Sequence, residues 1–127
     1  MILCRYLAVI ALAASTLAGV SATEARREWV PALPPIAAAE LPKEARITLE
    51  RIRDNGPFPH ERDGVAFGNR EGMLPPKARG YYHEYTVKTP GSRSRGARRI
   101  VCGGEPATLA ECYYSDDHYQ SFKSIRP

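Results

Sequence analysis

GYYHEYTVKTPGSRSRGARRIVC, residues 80–102, decides the fold. From Tyr81 to Lys88 the residues alternate and are rich in β-formers, so the segment reads as a strand with Tyr82, Glu84 and Thr86 on one face. Thr89-Pro90-Gly91-Ser92 is a turn. Ala97 to Cys102 then returns as a second strand, with Arg99 and Val101 on one face and Arg98 and Ile100 on the other. The hairpin therefore carries one carboxylate, Glu84, and two arginines set four apart, Arg95 and Arg99. A histidine, His118 in DDHY, follows nineteen residues after Arg99.

Outward from the hairpin, Cys112 to Ser115 and Ser121 to Ile125 read as two more short strands. Phe58 to Lys77 is turn-rich, punctuated by Gly64, Gly68 and Gly72 and by Pro59, Pro75 and Pro76, the kind of loop in which binding groups sit. Before it, Pro42 opens a helix where a missing N–H costs nothing. Ala45, Leu49 and Ile52 form its buried stripe, Glu44 suits its first turn, and Asp54-Asn55-Gly56-Pro57 stops it. One helix followed by an antiparallel meander is the α+β pattern, here a main helix packed on a small twisted antiparallel sheet.

The remaining segments bound the setting. The chain has 127 residues, enough for one domain. Residues 1–22 read as a secretory signal: Arg5 gives a positive start, Leu7 to Ala14 an apolar run, and Val20-Ser21-Ala22 a small-residue cleavage site. A membrane anchor would want about 20 unbroken apolar residues, and Ser15, Thr16 and Gly19 interrupt this run. No later stretch is apolar for long enough to span, so no membrane partner is expected after cleavage. Residues 23–40, with Pro31, Pro34 and Pro35, read as an extended arm, and its prolines argue against a first strand before the helix. Trp29 is expected to dock this arm on the domain. The domain proper is then 41–127. Losing Arg5 with the signal lowers the formal charge by one from +4, a mild basicity that suits a polyanion without identifying one. Cys4 leaves with the signal. Cys102 and Cys112 remain as an even pair in an oxidising compartment and are expected to form a disulfide worth about 3 kcal/mol. A cysteine nucleophile would need a free thiol and is set aside.

A general base, a general acid and a cationic clamp are what metal-free cleavage of a phosphodiester requires. Each residue also has a plainer use. Glu84 would serve as a solvated strand residue, Arg98-Arg99 as surface charge, and His118 as a loop histidine bonded to Asp116 or Asp117. His83 points to the face opposite Glu84 and reads as structural, and His60 has no assigned role. His83-Glu84 resembles the start of a zinc-protease helix, but Val87 stands where the second histidine belongs and the segment is a strand.

FPHERDGVAFGNREGMLP, GYYHEYTVKTPGSRSRGARRIV and YYSDDHYQSF, taken in order, resemble the bacterial guanyl-specific ribonucleases, the barnase-like microbial ribonucleases. The likeness runs from about Leu41 to Ile125. It implies a helix on a small antiparallel sheet and RNA cleavage with no metal or other cofactor. By motif, Glu84 resembles the family's general base, His118 its general acid, and Arg95 and Arg99 its phosphate-binding arginines. Phe67, Asn69, Arg70 and Glu71 of FGNRE match its guanine-binding loop, and Tyr119 a residue lining the nucleotide site. The cysteines depart from the family's pattern: none here lies between Thr23 and Val101, and Cys102 and Cys112 bracket a long loop instead.

The chemistry of those residues fits the implied roles. RNA carries its own nucleophile, the 2′-hydroxyl, so the protein must move two protons and stabilise charge on phosphate oxygens, which paired guanidinium forks do well. The product would be a 2′,3′-cyclic phosphate, later opened by water. Guanine presents N1–H and a 2-amino group to the Glu71 carboxylate and O6 to backbone N–H groups near Asn69 and Arg70. Phe67 and Tyr119 offer stacking surfaces. The expectation is a secreted, monomeric endoribonuclease cutting single-stranded RNA after guanosine, with a barstar-like inhibitor as a candidate protein partner. The rival from another class is a non-catalytic RNA- or polyanion-binding module on the same fold.

Overall fold

The computed structural model describes residues 32–127. The signal segment and Trp29 lie outside them. Helix α1 spans Lys43–Arg53, with Pro42 as its N-cap. Six strands follow the order β1 (Pro35–Ala37), β2 (Ala66–Phe67), β3 (Tyr82–Thr86), β4 (Arg99–Gly103), β5 (Cys112–Ser115) and β6 (Lys123–Arg126), with α1 between β1 and β2. They form one sheet in the spatial order β1-β6-β5-β4-β3-β2. Among the described residues no helix is long and apolar enough to cross a membrane.

Several expectations need correction. The proline-bearing segment before the helix does contribute a strand: Pro35–Ala37 pairs parallel with Ser124–Arg126, so the sheet is mixed rather than wholly antiparallel. A proline is tolerated there because β1 is an edge strand, where one N–H can be absent from the ladder. β2, a two-residue strand paired with β3, also falls inside the stretch read as turns. The second hairpin strand starts at Arg99 rather than Ala97, because Gly96 takes a left-handed turn at φ 68° just before it. Phe122 precedes β6 and is buried against Tyr82, Val101 and Tyr113 instead of continuing the ladder.

Strand alternation builds two cores, one on each face. Toward α1, Tyr85, Val87, Ile100, Cys102, Cys112 and Tyr114 pack on Leu41, Ala45, Leu49 and Ile52. This is the apolar stripe read from the helix, joined by Thr48, whose hydroxyl lies within hydrogen-bond distance of Glu44 O and of Thr86 O on β3. Asn55 and Gly56, at φ 59° and 102°, end the helix in left-handed conformations, and the Gly56 N–H returns to Arg51 O at 2.8 Å. Cys102 and Cys112 face each other across β4 and β5 with Cα atoms 4.1 Å apart and form the expected disulfide. On the opposite face Tyr82, Val101, Tyr113 and Phe122 close around Leu74 from the loop after β2.

Candidate active site

That second face also carries the polar residues. Glu84 and Val101 are cross-strand partners, and so are Thr86 and Arg99, then Arg99 and Ser115. Glu84 is 7% exposed and Arg99 only 3%, so neither belongs to a solvated surface. Burying a carboxylate is costly unless donors surround it, and here they do. The Tyr119 hydroxyl donates to Glu84 Oε2 at 2.9 Å. Arg95 Nη2 and Arg62 Nε each stand 3.5 Å from Oε1. Arg95 is oriented by its own Nε, which donates to Thr86 Oγ1 at 2.9 Å.

Arg99 Nη1 donates to Arg98 O at 2.8 Å, and its buried Nε has no hydrogen-bond partner among the described residues. Burial, and then the like charge of Arg95, lower its pKa, yet a guanidinium remains protonated at any ordinary pH. The result is a dry, fixed cation with a donor to spare. Burial first, then the charge and hydrogen bond of Glu84, raise the Tyr119 pKa far above the phenol range. Tyr119 therefore stays neutral and keeps donating.

The turn between β5 and β6 presents His118. His118 and Tyr119 both adopt left-handed backbone, at φ 56° and 70°, and non-glycine residues hold that conformation only when neighbours enforce it. His118 N donates to Ala97 O at 3.0 Å. Asp117 binds the rest of the turn: its Oδ1 accepts from Ser115 Oγ and Ser121 N, both at 2.9 Å, and its Oδ2 from the Ser121 hydroxyl. The hydroxyl bond from Ser121, ahead of the others, lowers the Asp117 pKa. With both carboxylate oxygens engaged in this way, Asp117 serves the turn rather than the imidazole. His118 itself is exposed, its ring 5.3 Å from that of Tyr119.

A cleft of about 450 Å³ joins the carboxylate to the loop after β2. Glu84, His118, Tyr119, Phe67, Asn69, Arg70 and Glu71 all line it. Arg95 and Arg99 are not among its lining residues; Arg95 meets the site through Glu84. The Phe67 and Tyr119 rings lie 4.9 Å apart. Asn69, at φ 47°, gives its side chain to the loop, with Nδ2 donating to Leu74 O at 2.9 Å and Oδ1 accepting from Leu74 N at 3.1 Å. Leu74 is fully buried, so these two bonds fasten the loop to the second core. Glu71 is exposed on the cleft wall.

Arg62 was missed, as were Met73, Gln120 and Phe122, which also line the cleft. Arg62 stands in the quoted HERDG stretch, but its approach to Glu84 comes from tertiary pairing. Gly64 N donates to Glu84 O at 2.8 Å and Glu84 N to Val65 O at 2.9 Å, which lays residues 62–65 along β3. Among the described residues no group of three His, Cys, Asp or Glu side chains is placed to hold a metal ion.

A ribonuclease family model matches residues 30–126. Guanyl-specific ribonuclease Sa of Kitasatospora aureofaciens is 51% identical over 90 residues, covering 71% of this chain and 91% of that protein. Guanyl-specific ribonuclease Sa3 of the same organism is 52% identical over 90 residues, again 71% of this chain but 62% of its own length, so the chain spans less than two thirds of that relative. Guanyl-specific ribonuclease St of Saccharopolyspora erythraea is 52% identical over 88 residues, covering 69% and 83%. A crystal structure of ribonuclease Sa2 with guanosine-2′-cyclophosphate is 51% identical and superposes with a TM-score of 0.69, covering 76% of this chain and 98% of that one. A second, of Sa2 complexes with mononucleotides, gives 52% and 0.72, covering 76% and 97%. With a family model spanning most of its length and relatives at half identity, the chain belongs to the guanyl-specific microbial ribonuclease family.

Proposed function

We propose that the protein is a secreted endoribonuclease that cuts single-stranded RNA on the 3′ side of guanosine without a metal or cofactor. The observation that carries this reading is the buried Glu84 carboxylate, held by Tyr119 and flanked by Arg95 and Arg62, in one cleft with an exposed His118. Glu84 takes the proton from the 2′-hydroxyl as that oxygen attacks phosphorus. His118 gives a proton to the departing 5′-oxygen, leaving a 2′,3′-cyclic phosphate. Arg95 and Arg99 meet the charge that builds on the non-bridging oxygens, the largest electrostatic demand of the step. Water then opens the ring to a 3′-phosphate, with His118 removing its proton and Glu84 returning one to the 2′-oxygen.

Guanine preference is assigned to the loop 67–71. Because the Asn69 side chain is spent on Leu74, recognition of O6 falls to backbone N–H groups, and the exposed Glu71 carboxylate is free to take N1–H and the 2-amino group together. The curated relatives bear guanyl-specific names, and the same preference is proposed here. Export is proposed from the signal-like residues 1–22, and cleavage there would release the arm 23–40 together with the domain 41–127. RNA is the proposed partner of a monomer. The deciding experiment is digestion of a defined single-stranded RNA in EDTA with mapping of the ends. Cuts should fall after G and carry 2′,3′-cyclic then 3′-phosphate termini. Glu71→Ala should erode the preference for GpN over ApN by about 1–3 kcal/mol. Similar rates at all four bases would remove the specificity and leave the ribonuclease.

A further inference from the structure

Thr86 is a buried polar residue, 4% exposed, with no step of its own in the proposed cleavage. It ends β3 two residues past Glu84, so its side chain stands on the site face beside that carboxylate. Its cross-strand partner on β4 is Arg99. Three separate parts of the chain meet it. Its N–H donates to Asp63 Oδ1 at 2.7 Å, in the loop before β2, and its carbonyl accepts from Thr48 Oγ1 of α1 at 3.2 Å. Its hydroxyl accepts from Arg95 Nε at 2.9 Å. Two bonds thus fix the backbone of Thr86 from outside the sheet, and the third carries that fixed position to the arginine.

Arg95 needs such a mount more than Arg99 does. Arg99 begins β4, is buried, and has Nη1 on Arg98 O. Arg95 lies in the irregular stretch before β4, and its side chain is 26% exposed. Among the described residues its guanidinium has two polar contacts, the bond to Thr86 and the 3.5 Å approach of Nη2 to Glu84 Oε1. The second is at the limit of hydrogen-bond length, so the first does most of the holding. The stretch is itself shaped for this. Gly96 is left-handed at φ 68°, and a Cβ there would stand 2.3 Å from Thr89 Oγ1, so the chain turns beside Arg95 only around glycine. A guanidinium is planar, and with Nε committed its two Nη nitrogens carry the donors for Glu84 and for phosphate. We infer that Thr86 is a positioning residue for cleavage, its hydroxyl holding Arg95 where one guanidinium serves both the Glu84 carboxylate and the scissile phosphate. The inference rests on the ribonuclease reading above. Donors already aimed at developing charge need no reorganisation as the reaction proceeds, whereas a loosened arginine samples many rotamers.

The test is a double-mutant cycle on GpU cleavage, with rates taken per folded molecule. Thr86→Val keeps the β-branched shape and removes the acceptor, while Thr86→Ser keeps the hydroxyl and removes a methyl. Thr86→Val should lower kcat about tenfold, the scale of one charge-assisted hydrogen bond, and leave binding of guanosine, which has no phosphate, unchanged. Thr86→Ser should restore most of the rate although it packs less well. In Arg95→Ala protein, adding Thr86→Val should cost less than about twofold, because the group it acts through is gone. The inference is overturned by wild-type kcat in Thr86→Val, by a serine variant as slow as the valine one, by weakened guanosine binding, or by the full loss persisting without Arg95. One measurement needs neither a folded variant nor activity. In wild-type protein the Arg95 Nε–H should exchange with solvent about tenfold more slowly than that of exposed Arg46, and equal exchange ends the inference. Wild-type protein that cuts no RNA would sink the ribonuclease reading, and the mount is then judged by that exchange alone.

Discussion

The two faces of the sheet are built from the same strands and do opposite things. Toward α1, β3 to β5 present Tyr85, Val87, Ile100, Cys102, Cys112 and Tyr114, closed by Leu49 and Ile52. On the other side the intervening residues are Glu84, Thr86, Arg99, Ser115 and their aromatic neighbours, equally buried. Apolar burial stabilises in proportion to area removed from water. A buried carboxylate and a buried guanidinium cost free energy even when well bonded. The helix face therefore holds the protein together, and the site face draws on that stability to keep charges dry.

The sharpest way to break this division is to cut each face separately. Glu84→Gln and His118→Ala should each slow cleavage by about 10²–10⁴-fold, while thermal unfolding changes little. Ile100→Ala, one residue from Arg99 but on the helix side, should cost about 2–5 kcal/mol of stability and leave kcat per folded molecule intact. A large activity loss in folded Ile100→Ala would show that the faces are not separable.

Next in size is the cross-strand bridge, which belongs to the helix face. Cys102→Ser/Cys112→Ser should lose about 2–4 kcal/mol in urea unfolding and still cut after G. Alkylation without reductant should leave the native protein unlabelled; two labels would contradict the bridge.

Arg99→Met sharpens the contrast because its two effects have opposite signs. Replacing a buried cation with an apolar side chain of similar length should leave stability unchanged or raise it by about 1 kcal/mol, while cleavage falls. Loss of both would place Arg99 in the framework rather than the site.

The smallest effect is at Asp117. Its folded pKa is depressed from the usual 3.8, so its bonds contribute stability above that value and lose it as pH falls through the lower folded one. Asp117→Asn should therefore flatten the acid limb of the stability curve below about pH 4 and change nothing slower than the β5–β6 turn. An unchanged acid limb would mean that Ser115 and Ser121 hold the turn without the charge.

How much of this was legible depends on the distance over which each feature is decided. The helix from Lys43 could be read because Pro42, the Ala45-Leu49-Ile52 stripe and the Asn55-Gly56 stop are local signals. The two faces could be read because alternation in YYHEYT has a period of two. Glu84, Arg95, Arg99 and His118 were singled out by motif, and His83 was assigned to the other face by the same alternation; its Nδ1 lies 2.9 Å from Gly64 O. β1 was not legible. Its partner lies near the far end of the domain, and three residues beginning with proline carry no strand signal of their own. Arg62 escaped because its neighbour Glu84 is reached through the pairing of Gly64 and Val65.

The parallel pairing of β1 with β6 has a consequence for biosynthesis. Both β6 and His118 come after every other element of the domain, so a nascent chain has no partner for Pro35–Ala37, and lacks the proposed proton donor, until residues 118–126 have been made. Domains mature in the order in which they are synthesised, and this one acquires its proposed acid and its closing strand together. For a chain that cuts RNA, the ribosome producing it faces an incomplete cleft until β6 has been made.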